Sequence, residues 1–145
     1  MSGRRATAIA GALASVLAGG ACAVGPTGAG SFAYGGSWTY AGAQETPTML
    51  TLAGPVSFVG TGDDAGFEGS IVLTETAPGG AVRILSGPAS GLVLQDTILD
   101  FTTQFSGVAR RHVGVARGDS IAGTWADGAG SVATGSFVLR RAGGG

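Results

Sequence analysis

The chain has 145 residues, with eight arginines, no lysine, nine acidic residues and a single histidine, for a formal net charge of −1. Its one cysteine excludes an internal disulfide framework, and the lack of any basic excess argues against nucleic acid as a partner, since such domains carry a cationic patch. Glycine at 29 positions would signal low complexity if it were unpatterned, but from residue 36 onward the glycines punctuate periodic apolar segments.

The first element in chain order is an export signal. Arg4 and Arg5 precede an uncharged run from Ala6 to Ala18, small residues follow, and Cys22 comes next; this is the order of n-region, apolar segment and peptidase site in a secretory leader. Ala6 and Thr7, after the arginine pair, lack the bulky apolar character of a twin-arginine signal, so the general export route is expected. Leu17-Ala18-Gly19-Gly20-Ala21-Cys22 resembles a bacterial lipoprotein lipobox, with Gly19 where that motif has a branched aliphatic residue. The resemblance implies lipidation of Cys22, which then becomes the N-terminus. A second reading cleaves at Ala21-Cys22-Ala23 and secretes the protein without its cysteine. A third leaves Ala6 to Val24 uncleaved as an anchor, barely long enough to span a bilayer.

Residues 1–22 are thus read as the signal and residues 23–35 as a Gly-rich tether, too poor in apolar side chains to fold alone. Without Arg4 and Arg5, six arginines face nine acids, a mature charge of −3. The expected location is the cell envelope, lipid-anchored, with secretion as the alternative. The lipid is the only membrane contact expected.

Residues 36–141 form one domain, followed by a short tail at 142–145. Short β-branched and aromatic runs alternate there with Gly, Pro, Asp and Ser about every ten residues, the pattern of an all-β antiparallel barrel or sandwich. The expected strands are Ser37 to Ala41, Met49 to Thr61 with a bend at Gly54-Pro55, Gly66 to Thr76, Ala81 to Ser86, Leu92 to Leu94, Thr97 to Phe105, Val108 to Arg117, Ser120 to Ala126 and Val132 to Arg141.

Hairpin registers test one another, because residues paired across a ladder share a face. A turn at Ser106-Gly107 pairs Phe101 with His112 and Thr103 with Arg110. A type II′ turn at Gly118-Asp119 pairs His112 with Trp125. Both agree on a core face of Leu99, Phe101, Phe105, Val108, His112, Ile121 and Trp125. Upstream, the loop Gly62 to Ala65 sets Val56 and Phe58 beside Phe67 and Ile71, and Pro78-Gly79 pairs Leu73 with Ile84. A five-residue connection from Asp127 to Ser131 brings Phe137 and Leu139 onto the Trp125 face. Such agreement between neighbours favours a sequential meander of about eight strands closed into a barrel, which removes exposed edges; a β-sandwich is the alternative.

Gly36-Ser37-Trp38 at the first strand and Arg140-Arg141 at the last resemble the calycin group of barrels, which includes lipocalins, avidins and intracellular lipid carriers. The resemblance implies that Trp38 closes one end of the barrel with Arg141 packed over its ring. It covers most of residues 36–141, although the lipocalin signature between the sixth and seventh strands and the C-terminal helix are missing.

No catalytic constellation, metal set or cofactor motif is visible. His112 stands alone, so neither a metal site nor a Ser-His-Asp relay can be assembled on it. Asp63, Asp64 and Glu68 lack the spacing of a calcium loop, and Glu75, Asp96 and Asp100 do not converge as glycosidase acids do. Arg117-Gly118-Asp119 spells an adhesion tripeptide that a charged hairpin turn explains equally well. The expected function is noncatalytic binding of a small apolar or amphiphilic ligand, with Phe101, Arg110, His112 and Trp125 as the ligand-binding residues. The alternative is a structural or protein-interaction module with a solid core. Gly69, Gly114, Gly123 and Gly135 bear on that choice, since inward glycines either bend strands at barrel corners or leave a void.

Overall fold

The computed structural model describes residues 32–62, 65–128 and 133–143. The signal segment, Cys22 and most of the tether lie outside the described residues, as do Asp63, Asp64, residues 129–132 and the last two of the tail.

Eight strands follow in chain order: β1 (Gly36–Thr46), β2 (Leu50–Gly60), β3 (Gly66–Thr76), β4 (Val82–Leu94), β5 (Ile98–Phe105), β6 (Val108–Arg117), β7 (Ser120–Asp127) and β8 (Thr134–Arg141). Each pairs antiparallel with the next, and β8 pairs with β1, so the meander closes into a barrel. Passing through paired residues from Leu94 by way of Ile98, Val115, Ala122, Val138, Ala41, Ala53 and Thr74, the path returns to β4 at Ile84, ten residues from its start. That stagger sets the strand tilt, and with eight strands it gives an interior about as wide as packed side chains or one small ligand.

The registers of β2–β3, β5–β6 and β6–β7 are those the turns dictate. Val56 pairs with Ile71, Phe101 with His112, and His112 with Trp125. Gly118 has a φ of 60° at the first central position of its turn, as a type II′ hairpin requires.

Two connections differ from expectation. Between β3 and β4 the turn takes in Gly80, at a φ of 95°, and Ala77 N–H donates to the Ala81 carbonyl. The loop is therefore three residues, Pro78 to Gly80, and not the Pro78-Gly79 pair. One extra residue reverses the faces of the following strand: Leu73 pairs with Leu85, and Ile84 is turned to solvent at 59% exposure. The separate runs at Ala81–Ser86 and Leu92–Leu94 are one strand, because Pro88 falls just beyond the residues paired with β5, Ala89–Leu94, where its missing N–H breaks no ladder bond on that side. Between β7 and β8 the connection keeps five residues but is displaced by one: Asp127 N–H donates to the Ala133 carbonyl, leaving 128–132 between them where 127–131 is expected, and Trp125 pairs with Gly135 and Gly123 with Phe137. The shift is by an even number, so Phe137 and Leu139 still face inward.

Inside, Trp38, Tyr40, Leu52, Val56, Phe58, Phe67, Ile71, Leu73, Leu99, Phe101, Ile121, Trp125, Phe137 and Leu139 are all buried. Outside, Ser, Thr, Ala and charged residues alternate with them, interspersed with exposed Val59, Val72, Val82, Ile84, Leu92, Leu94, Val113 and Val115.

The inward glycines are corner residues. A Cβ added at Gly69 would lie 1.9 Å from the Ser57 carbonyl oxygen, and one at Gly123 would lie 1.9 Å from that of Val113. Neighbouring backbone therefore occupies the volume a side chain would need. At Gly135 and Gly114 the rings of Trp125 and Phe137 fill the space as well, at 2.6 and 2.9 Å.

Candidate functional site

Because β1 and β8 lie next to each other, the two ends of the barrel are easily distinguished. One end holds the start of β1 and the end of β8. Trp38 is buried there, its indole N–H donates to the Tyr34 carbonyl at 2.9 Å, and the Arg141 guanidinium lies 4.3 Å from the ring centroid. Arg141 also donates to the Gly35 carbonyl at 3.0 Å. Tyr34 in turn donates its hydroxyl to the Asp96 carbonyl, in a turn where Gln95 and Asp96 both take positive φ. This end is covered by aromatic surface.

The middle of the barrel is a connected layer of rings. Phe101 stacks on His112 with centroids 4.7 Å apart and nearly parallel planes, and it meets Phe58 edge-on at 5.3 Å. Phe67 packs on Phe58 at 4.9 Å, while Phe137 sits 5.1 Å from His112 and 5.7 Å from Tyr40. Edge-to-face and stacked contacts of this kind add roughly 0.5–1.5 kcal/mol each beyond area burial.

Above that layer, toward the opposite end, the interior turns polar. Arg110 and Asp127 are cross-strand partners on β6 and β7, and they form a bidentate pair, Nε to Oδ1 and Nη2 to Oδ2, the latter at 3.1 Å. Both side chains are more than nine-tenths buried. The Arg110 guanidinium also lies 3.8 Å from the Trp125 ring centroid, so its face is spent on the indole and one edge on the carboxylate. On the opposing wall, Glu75 and Arg83 make a second bidentate pair at 3.1 and 3.2 Å, with Arg83 largely exposed and Glu75 buried. Gln44 donates to the Thr48 carbonyl at this end.

Three buried polar atoms among the described residues have no hydrogen-bond partner: Arg110 Nη1, His112 Nδ1 and Trp125 Nε1. All three residues face the interior, His112 paired with Trp125 across β6 and β7 and Arg110 two residues before His112. His112 Nε2 is 3.1 Å from the Tyr40 hydroxyl. Burial first, and then the charge of Arg110, hold the His112 pKa down at about 3, slightly opposed by the Arg110 backbone. The ring is neutral at physiological pH. Burial likewise pushes the Tyr40 hydroxyl well above its ordinary value, so Tyr40 stays protonated and shares a hydrogen bond with Nε2. Arg110 Nη1 and Trp125 Nε1 can only donate, whereas His112 is hydrogen-bonded to the Arg110 backbone.

The structure thus brings Phe101, Arg110, His112 and Trp125 onto one wall of the interior, and sets Trp38 with Arg141 at the far end. Tyr40 and Asp127 belong to the same constellation and are not among the residues that the sequence singles out. The signal for each is present: Tyr40 stands two residues from Trp38 and Asp127 two from Trp125, hence on the same faces. The other acids are dispersed. Asp100 is on the outer wall, gripped by Arg111 at 2.6 and 2.9 Å, and that hydrogen bond lowers its pKa. No group of three or more His, Cys, Asp or Glu that could hold a metal occurs among the described residues. A depression of about 240 Å³ lies on the outer wall across β3, β4 and β5, lined by Glu68, Pro88, Ser90, Thr102 and Gln104 among others.

No protein-family model matches the sequence, and no curated protein matches it. Among solved structures, it is similar to a redesigned β-barrel, mFAP1, bound to DFHBI, with a TM-score of 0.59 and 15% identity over 74% of this chain and 94% of the other. It is similar to a second, a de novo designed fluorescence-activating β-barrel, with a TM-score of 0.54 and 20% identity over 74% and 93% of the two chains. At such identities the likeness is one of fold: a small closed antiparallel barrel.

Proposed function

We propose that this protein is a noncatalytic binding barrel that takes a small apolar or amphiphilic ligand bearing a hydrogen-bond acceptor, at the end of the barrel where Arg110, His112 and Trp125 converge. The observation that carries the reading is a pair of buried donors without partners, Arg110 Nη1 and Trp125 Nε1. Leaving such a group unsatisfied costs about 1–3 kcal/mol, and two on neighbouring strands of one wall are an arrangement that an acceptor would relieve. The aromatic layer below them limits the ligand to the upper part of the interior, with Phe101 as its floor. Leu85, inward-facing yet only half-buried, supplies apolar surface at that end. That structurally similar designed barrels, mFAP1 and mFAP0, are bound to DFHBI supports the reading by showing that this architecture admits a ligand.

Thermal-shift screening against medium-chain lipids and small aromatic metabolites tests it. A ligand of the folded state raises the midpoint by mass action, and replacing Trp125 or His112 removes the increase. A flat response across the panel rejects the reading. It would favour instead a surface interaction module, for which the specific observation is exposed apolar side chains on the outer wall either side of β5, Leu92 and Leu94 on β4 and Val113 and Val115 on β6.

We also propose that the protein is exported and held in the cell envelope by a lipid on Cys22, with residues 23–35 as its tether. The support is the ordering of arginine pair, short apolar run, small residues and lone cysteine. Intact mass spectrometry of protein from a bacterial membrane fraction decides it: an acylated Cys22 at the N-terminus is expected, and a mature chain beginning at Val24 without lipid contradicts it.

A further inference from the structure

We propose that the acceptor taken beside Arg110 is electrically neutral, a carbonyl or comparable oxygen, and that carboxylates and other anions are disfavoured; this rests on the binding reading above. A buried arginine in a barrel suggests an anion site, but the charge of this one is already answered. Asp127 holds its Nε and Nη2 edge in a bidentate pair with both side chains desolvated. What remains to a ligand is Nη1, a strong donor on a compensated ion pair.

The other described groups facing this part of the interior add no positive charge. Glu75 is matched by Arg83. Tyr40 is a neutral hydrogen-bond partner of His112, Thr103 donates its hydroxyl to the Arg110 carbonyl at 3.4 Å, and the Gln44 amide is held by the Thr48 carbonyl. His112 itself is uncharged, and the indole N–H of Trp125 can only donate. Arg110 with Asp127 and Arg83 with Glu75 sum to zero. An incoming carboxylate would therefore be stripped of water, with no unpaired cation to receive it and with the Asp127 carboxylate close by. A neutral carbonyl meets the same donors without that cost. A site built from buried donors also discriminates against an isostere that lacks the acceptor, because its own polar groups are then left unpaired.

Three matched probes separate these terms at pH 7.5, with affinities measured by calorimetry: 2-naphthamide, 2-naphthoate and 2-methylnaphthalene. The expected result is that 2-naphthamide binds at least tenfold more tightly than either of the others. In Asp127→Asn, which leaves Arg110 uncompensated, 2-naphthoate should gain at least tenfold over its affinity for the wild type. If that variant does not fold, the wild-type ratios decide alone. Binding of 2-naphthoate as tightly as the amide overturns the neutral assignment while leaving the binding reading intact. Equal binding of 2-methylnaphthalene overturns the role of the donors. Absence of binding by all three at millimolar concentration rejects the binding reading and this inference with it.

Discussion

The Arg110 guanidinium carbon sits over Trp125, 3.8 Å from the ring centroid, while one edge of the same group grips Asp127. Arg110 and Asp127 are cross-strand partners on β6 and β7, and Trp125 lies two residues before Asp127 on the same face. Removing one member of such a buried pair leaves an uncompensated charge, which costs about 3–5 kcal/mol, whereas replacing both by well-packed apolar residues is often neutral. Arg110→Ala and Asp127→Ala should each cost that amount in denaturant unfolding, and Arg110→Met combined with Asp127→Leu should cost less than either alone.

Trp38 and Arg117 are both near the other end but in opposite settings. Trp38 is fully buried under Arg141, so Trp38→Ala should destabilise by about 3–5 kcal/mol, as a large core truncation does. Arg117 is exposed at a hairpin end, and Arg117→Ala should stay within about 0.5 kcal/mol. Equal, small effects on the denaturant midpoints would mean that Trp38 does not carry the closure of that end.

The corner glycines make a sharper prediction than the aromatic core. A methyl group at Gly69 would meet the Ser57 carbonyl oxygen at 1.9 Å, whereas one at Gly79 meets nothing within 4 Å. Gly69→Ala should therefore cost on the order of 3 kcal/mol or more, the upper range of overpacking, while Gly79→Ala should be within about 0.5 kcal/mol of wild type. Thermal midpoints of the two variants test whether these glycines serve curvature.

His112 ties stability to pH. Its folded-state pKa of about 3 lies below the ordinary 6.5, so the unfolded chain takes up the proton first. The stabilisation is complete above pH 6.5 and is lost as pH falls toward 3. It is the only histidine in the chain. Between pH 6.5 and 5, stability should fall by about 1–2 kcal/mol, with a slope that rises toward the ~1.4 kcal/mol per unit of one proton. His112→Phe should flatten that interval, as measured by urea unfolding at each pH.

Much of this architecture is legible in the sequence because two-residue hairpins fix parity. Phe101, His112 and Trp125 fall on one face by arithmetic from Ser106-Gly107 and Gly118-Asp119, and the same arithmetic closes the barrel. It fails where a turn holds one glycine more than its dipeptide signature, at Gly80, and there it puts Ile84 on the wrong face. The site is legible to the extent that it lies on those same hairpins. Asp127 reads as the start of a connection, and so the partner that neutralises Arg110 escapes the sequence. Whether Gly69, Gly114, Gly123 and Gly135 leave a void or bend the wall cannot be read from composition, because the answer depends on how closely neighbouring backbone approaches them.

Uptake of an acceptor by the buried donors of β6 and β7 can be followed on the indole protons. The chain has two tryptophans: Trp38 Nε1 is already bonded to the Tyr34 carbonyl, while Trp125 Nε1 has no partner. Both give separate indole resonances in a two-dimensional ¹H–¹⁵N spectrum, assigned by Trp38→Phe and Trp125→Phe. On titration with small aromatic amides and ketones, the account predicts that the Trp125 resonance moves downfield as it gains an acceptor and that the Trp38 resonance stays in place. If Trp125 is unmoved by every such compound, or if shifts occur only in residues of the outer wall, the account is contradicted.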